Sequence, residues 1–282
     1  MTRAYGAAAV ADVPGAAADR RVFSSPLARR LAREAGLSPE GIPGTGPGGR
    51  VVRRDVVAAI ARGKGVSVGE FVDSKHSVPH LYLRGSARVG ELLALRRRLN
   101  EYTGREGTAH ITVNDLLLKA AALAHRAVPA LNVVRADETV PAYDSVDVAI
   151  AVATEHGLVT PVLRAADRLS LTALAETAAD LAARARTGRL DPHELVGGTL
   201  ALINLGAYGT EEFAAVISPP RAATLAVGAS RDEAVVVDGQ VRAEPVLRAT
   251  LSVDHRLVDG AVAARWMREF TSLLEQPTRL LL

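Results

Sequence analysis

Asp254-His255-Arg256-Leu257-Val258-Asp259-Gly260 sets an imidazole and a carboxylate four positions apart. The alternating run Leu247 to Val253 gives way there to a helix-like stretch from Ala261 to Leu274, so His255 falls on a strand-to-helix turn. A turn of that kind presents a side chain to a reactant. Histidine is the side chain that exchanges protons nearest neutrality, and Asp259 is placed to fix its tautomer or its local conformation. This is a general base in outline. Taken alone, a solvated or structural histidine beside charged residues is the simpler reading.

The segment resembles the HxxxDG signature of the acyltransferase components of 2-oxo acid dehydrogenase complexes, whose fold is shared with chloramphenicol acetyltransferase. The resemblance runs along nearly the whole chain. Thr112-Val113-Asn114-Asp115 with Leu116 to Ala121 is similar to that family's first long core helix, and Gly157 to Leu163 to its central strand pair. Pro192 to Thr199, Asn204-Leu205-Gly206 with Gly209, and Pro219-Pro220 to Gly228 follow in the family's order.

Bulk properties bound the alternatives. With 282 residues, the chain can bury one substantial core and carry a small accessory domain. Lys119 and similar charges interrupt every apolar run, so no membrane helix is expected. There is no cysteine, hence no disulfide, thiol nucleophile or thiolate metal site, and no metal-ligand spacing is visible. The net charge of +3 is modest for this length, and no aromatic platform or known module accompanies the arginines, so nucleic acid is not an expected partner. Residues 1–22, rich in alanine but broken by Asp12, Pro14 and Asp19, read as a disordered lead-in rather than a secretory signal, which makes the cytoplasm the default location.

Residues 23–62 read as a helix, a Gly-rich loop and a second helix. Ser25 caps the first helix with Pro26 at its first position, and Gly36 lies past its end. Asp55 opens the second, which ends near Gly63. Gly44-Thr45-Gly46-Pro47-Gly48-Gly49 matches GxGxxG, but no strand precedes it and Pro47 lacks an N–H for a phosphate, so a dinucleotide site is not expected. The segment resembles instead the peripheral subunit-binding domain of the same acyltransferases. That resemblance implies a dehydrogenase or carrier partner held by Arg29 and Arg33, which share a helix face, and by Arg50 in the loop. A solvated basic face is the alternative.

Residues 63–76 read as a linker and 77–282 as the catalytic domain, an α/β mixed sheet covered by helices. Strands are expected over Ser77–Val89, Leu131–Val134, Val146–Ala153, Val159–Leu163, Leu200–Leu205, Ala222–Ala229, Ala234–Val237 and Val246–Val253. Helices are expected over Glu91–Tyr102, from Thr112 or Asn114 to about Val128, and from a Ser170 cap to Gly188.

The resemblance implies that His255 deprotonates a thiol or hydroxyl, which then attacks a thioester carbonyl, while Asp259 supports the active loop or the histidine and Gly260 allows a tight turn. It also implies trimers, or larger assemblies of trimers, with the site in a channel between subunits. The family serine that donates to the oxyanion falls on Ile203, in Thr199-Leu200-Ala201-Leu202-Ile203-Asn204-Leu205-Gly206. Loss of one such donor typically costs about 10² to 10³ in kcat. Asn204, Tyr208, Thr210, a backbone N–H or water are the candidate replacements. The lysines are Lys64, Lys75 and Lys119, none in a lipoyl-type hairpin, so the acyl group is expected to arrive from elsewhere. The family's basic helix before the catalytic core is also missing, with Gly65 to Glu70 in its place.

The leading expectation is transfer of an acyl group, acetyl first, from a thioester such as acetyl-CoA to a small-molecule hydroxyl, of the kind met in tetronate-type natural-product pathways. The alternatives are a dihydrolipoamide acyltransferase core served by a lipoyl domain in trans, and a non-catalytic subunit-binding scaffold.

Overall fold

A computed structural model describes residues 23–34, 42–61, 74–106, 110–135, 143–155 and 157–282. Expectations for residues 1–22, Gly36, Gly63 and the linker up to Asp73 lie outside the described residues.

Two helices, α1 (Pro26–Glu34) and α2 (Arg53–Ala61), enclose a small core of Ala28, Ala32, Ile42, Val51 and Val56. Ser25 caps α1, its hydroxyl accepting from the Ala28 N–H at 3.1 Å. The intervening glycines serve close backbone approach. A Cβ on Gly44 would stand 2.2 Å from the Gly49 carbonyl oxygen, and one on Gly46 2.7 Å from that of Arg50. Asp55 ties this loop to α2 by accepting from the backbone N–H groups of Thr45 and Val52, both at 2.9 Å. Hydrogen bonds from the Thr45 hydroxyl and those two amides hold its carboxyl below the usual range. Leu195, from far along the chain, packs against this small core.

The rest is a six-stranded mixed sheet in the order β1-β8-β7-β6-β2-β5, with a separate β3–β4 hairpin. The strands are β1 (His80–Arg88), β2 (Val148–Ile150), β3 (Val152–Thr154), β4 (Gly157–Val159), β5 (Val162–Leu163), β6 (Leu200–Asn204), β7 (Ala223–Val237) and β8 (Gln240–Asp254). β6 runs parallel to both β2 and β7, and β8 lies antiparallel to β7 and β1. The α/β mixed sheet expected from the sequence is the observed fold class.

Helices cover this sheet: α3 (Gly90–Glu106), α4 (Val113–Ala127), α5 (Leu171–Arg186) and α6 (Gly260–Glu275). Thr112, not Asn114, caps α4, and a reciprocal box with Asp115 satisfies both backbone groups. From Asp115 to His125 the helix is buried without a break, so Lys119 folds its ammonium onto the carbonyls of Asp167 and Leu169 at 2.8 and 2.7 Å. α6 packs Trp266 and Phe270, both 0% exposed, into the same core, each worth about 1.5–3 kcal/mol of apolar burial. Among the described residues no helix is long and apolar enough to cross a membrane.

Several strand boundaries differ from expectation. Leu131–Val134 is not a strand: Pro129–Leu131 is a 3₁₀ turn, and the Asn132 amide is spent on the Tyr143 and Ser145 carbonyls. Val146–Ala153 divides between β2 and β3, and Val159–Leu163 between β4 and β5, because the chain leaves the large sheet to form the hairpin. The two strands expected over Ala222–Ala229 and Ala234–Val237 are one, β7, bulged between Val227 and Ser230. Asp238 and Gly239, at φ of 51° and 77°, make the two-residue turn into β8.

Candidate functional site

β8 delivers the turn, and side chains fix it from both ends. Asp254, its last residue, is 3% exposed. Its carboxylate accepts from Arg256 Nε at 2.8 Å, Arg256 Nη2 at 2.6 Å and the Arg256 backbone N–H at 3.1 Å. Burial pushes the Asp254 pKa up, but the bonds from Arg256 outweigh it and hold the group below the usual carboxylate range. The two side chains form an ion pair within the turn itself. The Asp254 carbonyl accepts from Leu257 and Val258, each at 3.0 Å, while buried Val258 anchors the far side.

Asp259 is the cap of α6, its Oδ1 accepting from the Val262 N–H at 2.7 Å. This bond ties the end of the turn to the first turn of α6. Gly260 has no positive φ, and a Cβ there would meet only a Leu81 methyl at an ordinary 3.6 Å, so the expected conformational need for glycine is not present.

Between these anchors the backbone N–H of His255 donates to the Pro79 carbonyl at 3.0 Å, and the side chain is exposed. Among the described residues, nothing in the same chain hydrogen-bonds its imidazole. The ring is rigidly mounted at its backbone and free at its tip.

Ile203 lies half-buried on β6, far from that tip. It pairs with Ala226, and Ala226 with Thr250. Position 203 is thus two strands, about 10 Å, across the sheet and five residues, about 17 Å, along the chain from His255, for a separation of roughly 20 Å. One copy of the chain does not bring these positions together. Asn204 Nδ2 donates one N–H to Asn114 Oδ1 at 3.3 Å and its Oδ1 accepts from the Gly206 N–H at 2.8 Å, which leaves the second N–H of the amide available to another acceptor. Thr199 is occupied, donating to Asn132 Oδ1 at 2.6 Å, whereas Tyr208 is 76% exposed.

In the small unit, Arg29 and Arg50 are both exposed, and a parallel bridge between Ser24 and Val51 brings the loop carrying Arg50 beside the start of α1. Arg29 Nε donates to Ser24 Oγ at 3.2 Å. Arg33 lies within α1, but its side chain falls outside the described residues.

Two residues near the turn escape sequence reasoning. His80 pairs with Asp254 across β1 and β8, its Nδ1 2.7 Å from the Val78 carbonyl and its Nε2 accepting from the Ile217 N–H at 3.1 Å. Arg221, beside the cis Pro219–Pro220 bond, is 5% exposed. The only sequence signal for it is a lone cation between Ile217 and Leu225 in an otherwise uncharged run. Among the described residues no group of three or more His, Cys, Asp or Glu side chains is placed to hold a metal ion.

Comparisons with known proteins agree with this geometry. Residues 57–282 match the 2-oxoacid dehydrogenases acyltransferase (catalytic domain) family, and residues 22–57 the e3 binding domain family. The chain is 36% identical to the dihydrolipoyllysine-residue acetyltransferase component of the pyruvate dehydrogenase complex of Rickettsia bellii, over 93% of this chain and 68% of that protein. It is 37% identical to the Rhizobium meliloti counterpart over 93% and 69%. A solved structure of Azotobacter vinelandii dihydrolipoamide acetyltransferase superposes with a TM-score of 0.72 at 32% identity, over 77% of this chain and 90% of that one. That study concerns the role of a serine, a histidine and an asparagine in its catalytic mechanism, the serine 52 positions before the histidine and the asparagine four after it. Here Ile203 stands 52 positions before His255 (255 less 203) and Asp259 four after it.

Proposed function

The chain belongs to the 2-oxoacid dehydrogenase acyltransferase family and is an acyltransferase; from that premise we propose that it moves an acetyl group between coenzyme A and a dihydrolipoyl thiol carried on a separate domain. The observation that carries this reading is the exposed imidazole of His255, on a turn pinned by Asp254–Arg256, Pro79 and Asp259, with no hydrogen-bond partner in its own chain among the described residues.

In the proposed reaction His255 takes the proton of the acceptor thiol, and the thiolate attacks the thioester carbonyl. The tetrahedral intermediate collapses with cleavage of the bond to the leaving sulfur, which receives the proton back from the imidazolium. Asp259 acts by holding the turn and the start of α6 in place. The separation of Ile203 from His255 supports a site completed by a second copy, as expected for a trimer or an assembly of trimers. A related structure with a TM-score of 0.72 is the cubic core of the pyruvate dehydrogenase multienzyme complex. With isoleucine at 203, the oxyanion is left to a backbone N–H, to the second amide N–H of Asn204, to a neighbouring hydroxyl such as Tyr208, or to water.

A thiol acceptor replaces the hydroxyl acceptor expected first from the sequence. The relatives are dihydrolipoyllysine acetyltransferases, and a thiol with a pKa of ~8.5 surrenders its proton to an imidazole far more readily than an alcohol does. Similarity of residues 22–57 to an e3 binding domain supports a dehydrogenase partner for Arg29, Arg33 and Arg50.

The test is competition. Labelled acetyl-CoA is offered to the assembled protein with free dihydrolipoamide and small alcohols together, and products are identified by mass. S-acetyl dihydrolipoamide is expected; acetyl esters formed in its place would overturn the thiol reading.

A further inference from the structure

Arg221 is a buried cation with no carboxylate paired to it among the described residues. It precedes Ala222, whose carbonyl accepts the Asp254 N–H at 2.9 Å, so its backbone lies at the sheet end that leads into His255. Among the described residues no acidic side chain forms a salt bridge with it, and the charge that acts on it is the like charge of Arg164. Burial, with Arg164, lowers its pKa only to about 10, so the guanidinium remains charged at neutral pH. Arg164 itself is engaged by Asp147 at 2.7 Å and by the carbonyls of His193 and Val196.

The two edges of the Arg221 guanidinium differ. Nη1 donates to Ser218 Oγ at 3.3 Å. On the other edge Nε is fully buried with no hydrogen-bond partner, while Nη2 beside it makes no hydrogen bond among the described residues and is not fully enclosed. Nε–H and Nη2–H point in parallel, the fork that receives the two oxygens of a carboxylate. Flanking Nε is Gly198, where a Cβ would stand 3.6 Å away; its φ of +77° also disfavours any side chain. An uncompensated buried charge is strongly destabilising, so a fork left open on a flank without a side chain calls for an anion from outside the described chain.

We propose that the Nε–Nη2 edge of Arg221, flanked by Gly198, is a carboxylate-binding site at the sheet end that carries His255. The carboxylate comes either from an acidic side chain of a second copy or from a small free acid. The site does not depend on the acetyl-transfer reading, and it is tested without turnover.

The experiment compares the full-length assembled protein with Arg221→Gln and Arg221→Lys. Acetate and succinate are titrated against chloride at matched ionic strength, with melting temperature and calorimetric binding as readouts, and assembly size is followed by sedimentation at fixed protomer concentration. Saturable binding by the wild type, absent in R221Q and weakened about tenfold or more in R221K, establishes a free-acid site. No binding by the wild type, but smaller assemblies in R221Q, establishes a carboxylate supplied by the neighbouring copy. Neither binding nor a change of assembly overturns the proposal. Should R221Q fail to fold, R221K carries both comparisons, because it keeps the charge and loses only the fork.

Discussion

Protonation of His125 should destabilise the folded chain well before the carboxylates titrate. His125 sits on α4 at 0% exposure, its Nδ1 accepting from Trp266 Nε1 at 2.7 Å, with Trp266 in turn stacked on Phe270. Its Nε2 is buried without a partner. Adding a proton would place a charge in an apolar core and remove the acceptor from the Trp266 bond, so burial depresses the pKa from 6.5 to about 3. Because the folded value is the lower one, the stabilisation is complete above pH 6.5, the unfolded value, and drains as the pH falls toward 3. At pH 5, which is 1.5 pH units below 6.5, the loss is about 2 kcal/mol at about 1.36 kcal/mol per unit. For a chain of this size that corresponds to a fall in Tm of roughly 4–8 °C. The assay is thermal unfolding by circular dichroism at pH 8 and pH 5, at fixed protomer concentration, for the wild type and His125→Gln. Gln offers Trp266 an oxygen acceptor and does not titrate. The variant is expected to be less stable at pH 8 but to lose about 2 kcal/mol less than the wild type between the two pH values. Equal losses in both proteins would refute the burial argument.

Two further outcomes follow from the turn and from β6. Ile203→Ser restores a hydroxyl at the position matching the serine of the Azotobacter enzyme, and kcat for acetyl transfer to dihydrolipoamide should rise by up to about 10², the usual worth of one oxyanion donor; an unchanged kcat in a folded variant would mean that another group already fills the role. Asp259→Ala removes the cap on Val262 and should lower stability by about 1 kcal/mol, whereas Asp259→Asn, which keeps a capping oxygen, should stay within roughly 0.5 kcal/mol of the wild type in chemical denaturation.

The turn around His255 was legible because everything that defines it is local: an alternating strand, a histidine, an acid at capping distance and an apolar helix follow one another in the chain. The buried α4 was legible for the same reason, since Thr112 and Asp115 announce its start. Position 203 could be named from sequence, but not its distance from His255, which depends on the β6-β7-β8 register and is set by tertiary pairing. Val133 and Val134 suggest a strand by composition, yet with a 3₁₀ turn ending at Leu131 before them the pairing shrinks to isolated bridges, Val134 with Arg221 among them. In the sequence the long β7–β8 arm breaks into fragments because its outer half alternates charged and apolar residues without a buried face, as the exposure of Val236 and Val241 shows. Arg221 is marked in the sequence only as a lone cation in an uncharged run. Its environment is assembled by the Gly197–Gly198 loop and Ser218, and only the folded chain displays it.

The proposed role of His255 is tested most directly by the initial rate of acetyl transfer from acetyl-CoA to dihydrolipoamide in His255→Ala, measured on assemblies shown by sedimentation to match the wild type. Because the imidazole lies exposed and outside the core, the variant should fold and assemble normally while its rate falls by about 10²- to 10⁴-fold. Turnover close to wild type in an intact assembly would contradict the assignment of His255 as the base.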